Sequence, residues 1–459
     1  MHIREVKTSL KSFDIYSIFK DKDYSFILDS GMDQDKLGRY SFIGFEPLVT
    51  FKSKGDKIDI IDSGKRTTVF GNPFSELKKL YSRYKFDYDT DLPFIGGFVG
   101  YLSYDLCHYI EKLPRKAVDD VYIPDCFMGL YDGVIVIDHK KNKVYVTALG
   151  INDDPQVVVG RVTSELFEGE KQLNNEEQSI QRKQPPSVSL TSNFTKDEYL
   201  KAVHKVKEYI KAGDIYQANL TQRFSGKVEE NPYNLYKKLR KINPAPFASF
   251  INFGEGYVIS SSPERFIKVK NDVIETRPIK GTRPRGDTPE EDIKQRKDLL
   301  SSEKDKAELL MIVDLERNDL SKVSQTGSVE VTELFHLEQY ATVYHLVSTI
   351  KGLVKKECDA IDCIKATFPG GSITGAPKIR AMEIIDELEP TQRNIYTGSI
   401  GYIGLNGDMD WNIVIRTIVY KEGKVYLQVG GAIVWDSDAE SEYQETFDKA
   451  KALIAALNS

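Results

Sequence analysis

Short runs rich in β-branched and aromatic residues recur along this chain, and they arrive in groups instead of alternating one for one with helices. Strict βαβ alternation would build a parallel sheet; grouped strands point to an α+β fold with large antiparallel sheets. Tyr24–Leu28, Tyr40–Ile43, and Val134–Ile137 with its expected hairpin partner Val144–Thr147 are early examples. Helical patterns interrupt them near Phe74–Tyr84 and Asp154–Gly169. The segment Glu170–Leu190 is polar and carries Pro185-Pro186, which reads either as a linker or as a surface loop of one fold. Three regions are therefore expected: 1–165, a polar stretch 166–190, and 191–459.

The later region is denser. Thr195-Lys-Asp-Glu198 has capping-box form and opens a helix to about Ala212. Strands are expected at Gln217–Phe224, Phe247–Asn252, Tyr257–Ser260, Phe266–Lys270 and Asp272–Thr276. One long helix is expected over Pro289–Asp314, a strand over Asp410–Tyr420, and a closing helix over Ser441–Asn458.

Composition excludes several classes. With 459 residues, 40% hydrophobic and 29% charged, the chain can bury a substantial core. A net charge of −6 argues against a nucleic-acid partner, which needs a basic face. No apolar run approaches a membrane span, and the first residues lack a signal-peptide pattern, so the expected compartment is the cytoplasm. Cys107, Cys126, Cys358 and Cys363 show no Cys-x-x-Cys spacing and read as free thiols.

Two helical segments carry acidic pairs three residues apart, a spacing that places both side chains on one face. One is Asp305 and Glu308; the other is Glu442 and Glu445. A pair from each helix could hold a hard divalent cation such as magnesium. Acids in a first turn also complement the helix dipole without any metal.

The segment Glu275–Gly286 places Arg277, Lys280, Arg283 and Arg285 in a stretch punctuated by Pro278, Gly281, Pro284 and Gly286. Neighbouring positive charge and desolvation both depress an ammonium pKa, and a lysine without its proton is a nucleophile or a base. A solvent-facing turn is the alternative. The Phe368–Lys378 segment is glycine-rich but lacks P-loop spacing. Arg416, read as lying within an apolar strand, needs an anionic partner, either a bound carboxylate or a protein acid. His345 lies on a strand-like run, where a satisfied core histidine is the plain alternative to a functional one.

Taken in order, several segments resemble the chorismate-utilising enzymes. They are Ile215–Leu220, Ser262-Pro-Glu-Arg-Phe266, Pro278-Ile-Lys-Gly-Thr-Arg283, Asp314-Leu-Glu-Arg-Asn-Asp319, Phe368–Lys378, Tyr396–Tyr402, Ile415-Arg-Thr417 and Glu442-Tyr-Gln-Glu-Thr446. The resemblance is strongest over 191–459. It implies an α+β fold with a two-sheet antiparallel β-sandwich core flanked by helices. It implies magnesium held by Glu308 and Glu445, with Asp305 and Glu442 beside them. Its catalytic candidates are Lys280, Glu264 and His345; its substrate-binding candidates are Thr282, Tyr396, Arg416, Gly431, Ala432 and Lys449. The sequence Gly430-Gly-Ala432 departs from the family's Gly-Ala-Gly.

Two positions separate the branches. Water-using members resemble one another in a lysine base where this chain has Gln217, and a neutral amide cannot deprotonate water. Anthranilate synthases resemble Pro-Ile-Ala-Gly-Thr, whereas this chain reads Pro-Ile-Lys280-Gly-Thr. The resemblance thus favours the aminodeoxychorismate synthase component I branch, in which the lysine attacks ring carbon two of chorismate and ammonia later displaces it. Anthranilate synthase component I is the second reading, and a catalytically silent regulatory subunit is the third. No glutaminase nucleophile motif is present, so ammonia is expected from a separate glutamine amidotransferase. The resemblance also offers Ser30, Pro246 and Phe247 as a tryptophan site, with core packing as the alternative.

Overall fold

A computed structural model describes residues 1–32, 37–175, 188–340 and 343–459. Among these residues the strands form two twelve-stranded sheets, paired antiparallel throughout. In the first sheet His2–Val6, Lys143–Ala148, Ile135–Asp138, Tyr40–Gly44 and Phe26–Asp29 run on into Phe247–Asn252, Tyr257–Ser262, Thr417–Lys421, Lys424–Ile433 and Gln217–Lys227. The join sets Leu28 opposite Ser249. The second sheet is joined in the same manner, where Ser399–Gly404 pairs with Gly97–Leu102. The stretches 1–165 and 191–459 therefore share both sheets. The expected division is not a division between sheets, because strand pairing reaches across it.

Four layers follow from where the apolar side chains go. Phe42, Phe127, Tyr131, Val258 and Tyr402 fill the space between the sheets. Leu77, Leu80, Leu309, Val313 and Ile364 pack helices on the outer face of the second sheet. Tyr16, Val162, Leu235, Leu239 and Leu453 do so on the first. The α+β sandwich flanked by helices is thus the observed architecture.

Three sequence expectations need correction. Helix Pro155–Asn175 runs into the stretch expected to be a linker; residues 176–187 of that stretch lie outside the described residues. The single helix expected over Pro289–Asp314 is two, Pro289–Ser301 and Glu303–Val323. Ser302 is extended and its hydroxyl accepts from the Asp305 N–H at 3.2 Å, so it starts a second helix instead of continuing the first. The strand expected over Asp410–Tyr420 is also two, Met409–Asn412 in one sheet and Thr417–Lys421 in the other. Arg416 lies in the crossing between them, with φ +51°, not within a strand.

Candidate active site

The crossing between sheets creates the site. Met409–Asn412 leaves one sheet, Thr417–Lys421 enters the other, and Arg416 is left at the gap. A cavity of ≈160 Å³ opens there. Its walls include Asn219, Glu264, Lys280, Ser372, Tyr396, Arg416, Gln428, Gly431, Ala432 and Lys449. Seven of the residues singled out by sequence thus meet in one space: Glu264, Lys280, Tyr396, Arg416, Gly431, Ala432 and Lys449.

Lys280 is aimed by its backbone. It lies on the edge strand Ile279–Pro284, which pairs with Val343–Leu353. Register slips at Gly281, so Lys280 faces Leu346 while Thr282 faces His345, on the opposite face. Gly281 has φ +77°, and a Cβ there would meet Asp305 Cγ at 2.9 Å, so both conformation and space call for glycine. The slip turns the lysine towards the cavity and the threonine away from it.

The electrostatics are unusual. The Lys280 side chain is half-buried by surface area because the cavity is open beside it, yet protein encloses its amine, and enclosure sets the desolvation. Burial pushes its pKa down, against the pull of Glu264, Glu308 and Glu445. Among the described residues its amine makes one hydrogen bond, to the Ser372 carbonyl at 3.3 Å. Burial pushes Glu264 up, against Lys280 and Arg416. Although Ser372 lies close to Glu264, Glu264 Oε1 and Ser372 Oγ have no hydrogen-bond partner. Burial also lowers Arg416, and its guanidinium forms no hydrogen bond or ion pair among the described residues. The acid that the sequence required for this arginine is therefore not supplied by the protein as a contact, which leaves room for a bound anion.

His345 and Thr282 stand apart. His345 Nδ1 and Thr282 Oγ1 are 2.9 Å apart, and neither residue lines the cavity. Burial, then Arg416, pushes the His345 pKa down to about 4, so its imidazole is neutral at pH 7.

The four carboxylates expected to hold magnesium come from the two expected helices, Glu303–Val323 and Ala439–Leu457. They are not gathered as one cluster: no group of three or more potential metal ligands forms among the described residues. Asp305 is held by Arg283 at 3.1 Å, and Glu445 by Lys449 at 2.6 Å. Burial raises Glu308, and Asp305 and Glu445 raise it further. Burial raises Glu442, with Glu445 adding to it. Such mutually repelling oxygens suit a hard cation by chemistry. At Gly431 an added Cβ would lie 3.2 Å from Glu442, 3.3 Å from Glu445 and 3.4 Å from Lys449, so the glycine leaves these groups room at the strand.

Sequence reasoning missed Asn219, Ser372 and Gln428 as cavity residues. Asn219 had one available signal, since it lies two residues from Gln217 and so on the same face of strand Gln217–Lys227. Gln217 itself is buried, with Oε1 unpartnered.

The family described as chorismate binding enzyme matches residues 24–455. The chain belongs to that family. Among its relatives, aminodeoxychorismate synthase component 1 of Escherichia coli (strain K12) is 41% identical over 436 residues, covering 95% of this chain and 93% of the relative. Anthranilate synthase component 1 of Acetivibrio thermocellus is 40% identical over 453 residues, covering 96% and 92%. The crystal structure of anthranilate synthase component I from Streptococcus pneumoniae TIGR4 superposes with a TM-score of 0.81 at 34% identity, covering 91% and 92%. Both kinds of chorismate-family relative are equally near, so branch identity has to come from the site. Among the described residues no helix is long and apolar enough to cross a membrane.

Proposed function

We propose that this member of the family aminates chorismate at ring carbon four to give aminodeoxychorismate, with Lys280 as a covalent nucleophile. What supports the reading is one observation above others: the Lys280 amine lies in the same cavity as Glu264 and Arg416, enclosed and, among the described residues, held by a single hydrogen bond.

Opposite pKa movements favour the chemistry. Burial pushes Lys280 down and Glu264 up, towards a neutral amine and a protonated acid, while their mutual attraction pulls the other way. The amine adds to ring carbon two, the ring double bonds shift, and the carbon-four hydroxyl leaves as water with the Glu264 proton. The lysine nitrogen, now cationic, returns a proton to Glu264. Ammonia then adds at carbon four, the double bonds shift back, and Lys280 leaves as the free amine with the proton held by Glu264; the new carbon-four ammonium returns a proton to Glu264. Arg416 pairs with a substrate carboxylate, and Tyr396 with the backbone at Gly431 and Ala432 bounds the ring. Magnesium, held by Glu308 and Glu445 with Glu442 and Asp305 near them, would supply Lewis-acid polarisation at the ring carboxylate and the departing hydroxyl. His345 does not line this cavity and is given no step here.

Ammonia comes from a separate amidotransferase subunit in this proposal; the component 1 names of the relatives support it. A cytoplasmic location is also part of it, supported by four free cysteine thiols. Tryptophan is assigned to a second cavity of ≈350 Å³; Ser30, Pro246 and Phe247, distant in sequence, all line it. Anthranilate synthesis stays as the second reading because two of the three relatives reported above carry that name.

The deciding experiment incubates the chain with chorismate, magnesium and an ammonium salt. An amine that retains its enolpyruvyl group supports the proposal. Anthranilate with stoichiometric pyruvate supports the second reading. No turnover with any nitrogen source points to the regulatory subunit.

A further inference from the structure

Arg393 is buried, at 3% exposure, and does not itself line the cavity. Its guanidinium has five N–H donors, and each has an acceptor. Nε donates to Glu389 Oε2 at 2.9 Å, and Nη2 to Glu389 Oε1 at 2.7 Å. The other three donors go to the backs of the cavity walls. Nη2 donates to the Asn219 carbonyl at 2.6 Å, and Nη1 donates to the Ile373 carbonyl at 3.0 Å and to Thr397 Oγ1 at 3.3 Å. Asn219 and Ile373 both line the cavity. Thr397 follows the cavity residue Tyr396, and its hydroxyl donates to the Tyr396 carbonyl at 2.6 Å. One side chain thus joins strand Gln217–Lys227, the loop Phe368–Lys378 and the turn that leads into Ser399–Gly404.

The arrangement is more than an ion pair. A buried pair by itself adds little stability over apolar side chains of the same size. Here Glu389, also 3% exposed, neutralises the arginine and accepts from the Thr221 N–H at 3.0 Å and hydroxyl at 2.8 Å, on the strand that carries Asn219. The planar fork of arginine then fixes the directions of its three remaining acceptors, which a point charge cannot do. Thr397 has φ +59°, a conformation that a β-branched residue keeps only when its surroundings hold it there. Its bond from Arg393 and its own N–H bond to the Val414 carbonyl at 2.7 Å supply that hold. Ile373 adjoins Ser372, whose carbonyl accepts from the Lys280 amine. A shift of the Ile373 peptide therefore moves the acceptor that aims the amine.

We propose that Arg393 is the positioning residue of this site: its guanidinium holds three wall segments in one arrangement and, through the Ser372 carbonyl, sets where the Lys280 amine meets the ring. This rests on the amination reading.

The test compares wild type with Arg393→Lys. Lysine keeps a charge beside Glu389 but loses the fork. Rates with chorismate, magnesium and ammonium chloride are taken per folded molecule, with folding followed by circular dichroism. kcat should fall about 100-fold, the effect of misplacing a reacting group by about 1 Å, while the KM for chorismate stays within about threefold because Arg416 takes no part in this network. With ammonia withheld, the adduct on Lys280 should form more slowly by the same factor in samples quenched at timed intervals. A folded Arg393→Lys protein whose kcat and adduct rate match wild type would overturn the proposal. So would a change confined to the KM for chorismate. If Arg393→Lys does not fold, Arg393→Met is combined with Glu389→Gln so that no charge is stranded. The same loss per folded molecule is then expected, and full activity overturns the proposal. Failure of both proteins to fold would make the network a folding element and overturn it too. If wild type itself forms no Lys280 adduct, the amination reading falls first and takes this proposal with it.

Discussion

Two lysines whose amines are enclosed by protein bond to carbonyls in or next to the loop Phe368–Lys378. Lys378 donates to the carbonyls of Thr367 at 2.9 Å and Pro369 at 2.7 Å, and it pairs with buried Asp319. Among the described residues Lys280 donates to the Ser372 carbonyl alone. Burial pushes both pKa values down. The shift therefore does not tell the two apart; the partners do. Lys378 has an ion pair and two carbonyls, so its amine is tied into the structure. Lys280 has one long hydrogen bond and open space beside it, so its amine is available for reaction.

The sharpest way to break this contrast is to remove each amine. Lys280→Ala should lower amination by about 10³-fold or more, as expected for a lost nucleophile, with little change in melting temperature. Unchanged product formation would erase the distinction. Lys378→Met should act on the fold instead. It strands the Asp319 carboxylate in the interior, a loss of about 3–5 kcal/mol in denaturant unfolding. A variant as stable as wild type would make Lys378 dispensable.

A third test concerns the other unpaired cation. Arg416→Gln should raise the KM for chorismate about 30- to 100-fold, the worth of charge-assisted hydrogen bonds to a carboxylate, with a smaller effect on kcat. A fall in kcat at constant KM would take Arg416 out of substrate binding.

The smallest expected effect lies beneath the loop. Glu316 is buried on the helix that carries Glu308, and Thr276 Oγ1 contacts it at 2.8 Å. Burial, with Glu264 and Asp319 facing it, pushes its pKa to about 8, against the pull of Lys378. The folded protein therefore holds this proton more tightly than the unfolded chain does. Stability from this group is full below its ordinary carboxylate value and declines as pH rises from there to about 8. Melting temperatures across that window should fall in wild type and fall less in Glu316→Gln. Parallel curves would show that Glu316 ionises normally.

Much of this was legible in the sequence, and the parts that were not have physical reasons. Strand runs and helix caps are local, so Thr195–Ala212 and the grouped strands could be read directly. The join of Phe26–Asp29 to Phe247–Asn252 spans more than 200 residues of sequence, and no local pattern encodes it. Ser302 carried a cap signal that the surrounding helical pattern hid. Arg416 reads in the sequence as part of an apolar strand, and the backbone turn that places it between the sheets is not visible in such a run. Lys280, Glu264 and Tyr396 came from a resemblance, and the bulge at Gly281 shows how the chain separates Lys280 from Thr282.

The most direct test asks whether Lys280 ever bonds to the ring. Wild-type protein is mixed with chorismate and magnesium while ammonia is withheld, then digested and weighed by peptide mass spectrometry. The account predicts that the Lys280 peptide gains the mass of chorismate less one water, and that adding ammonium removes the adduct as aminated product appears. An unmodified Lys280 peptide in protein that goes on to aminate chorismate at full rate would contradict it.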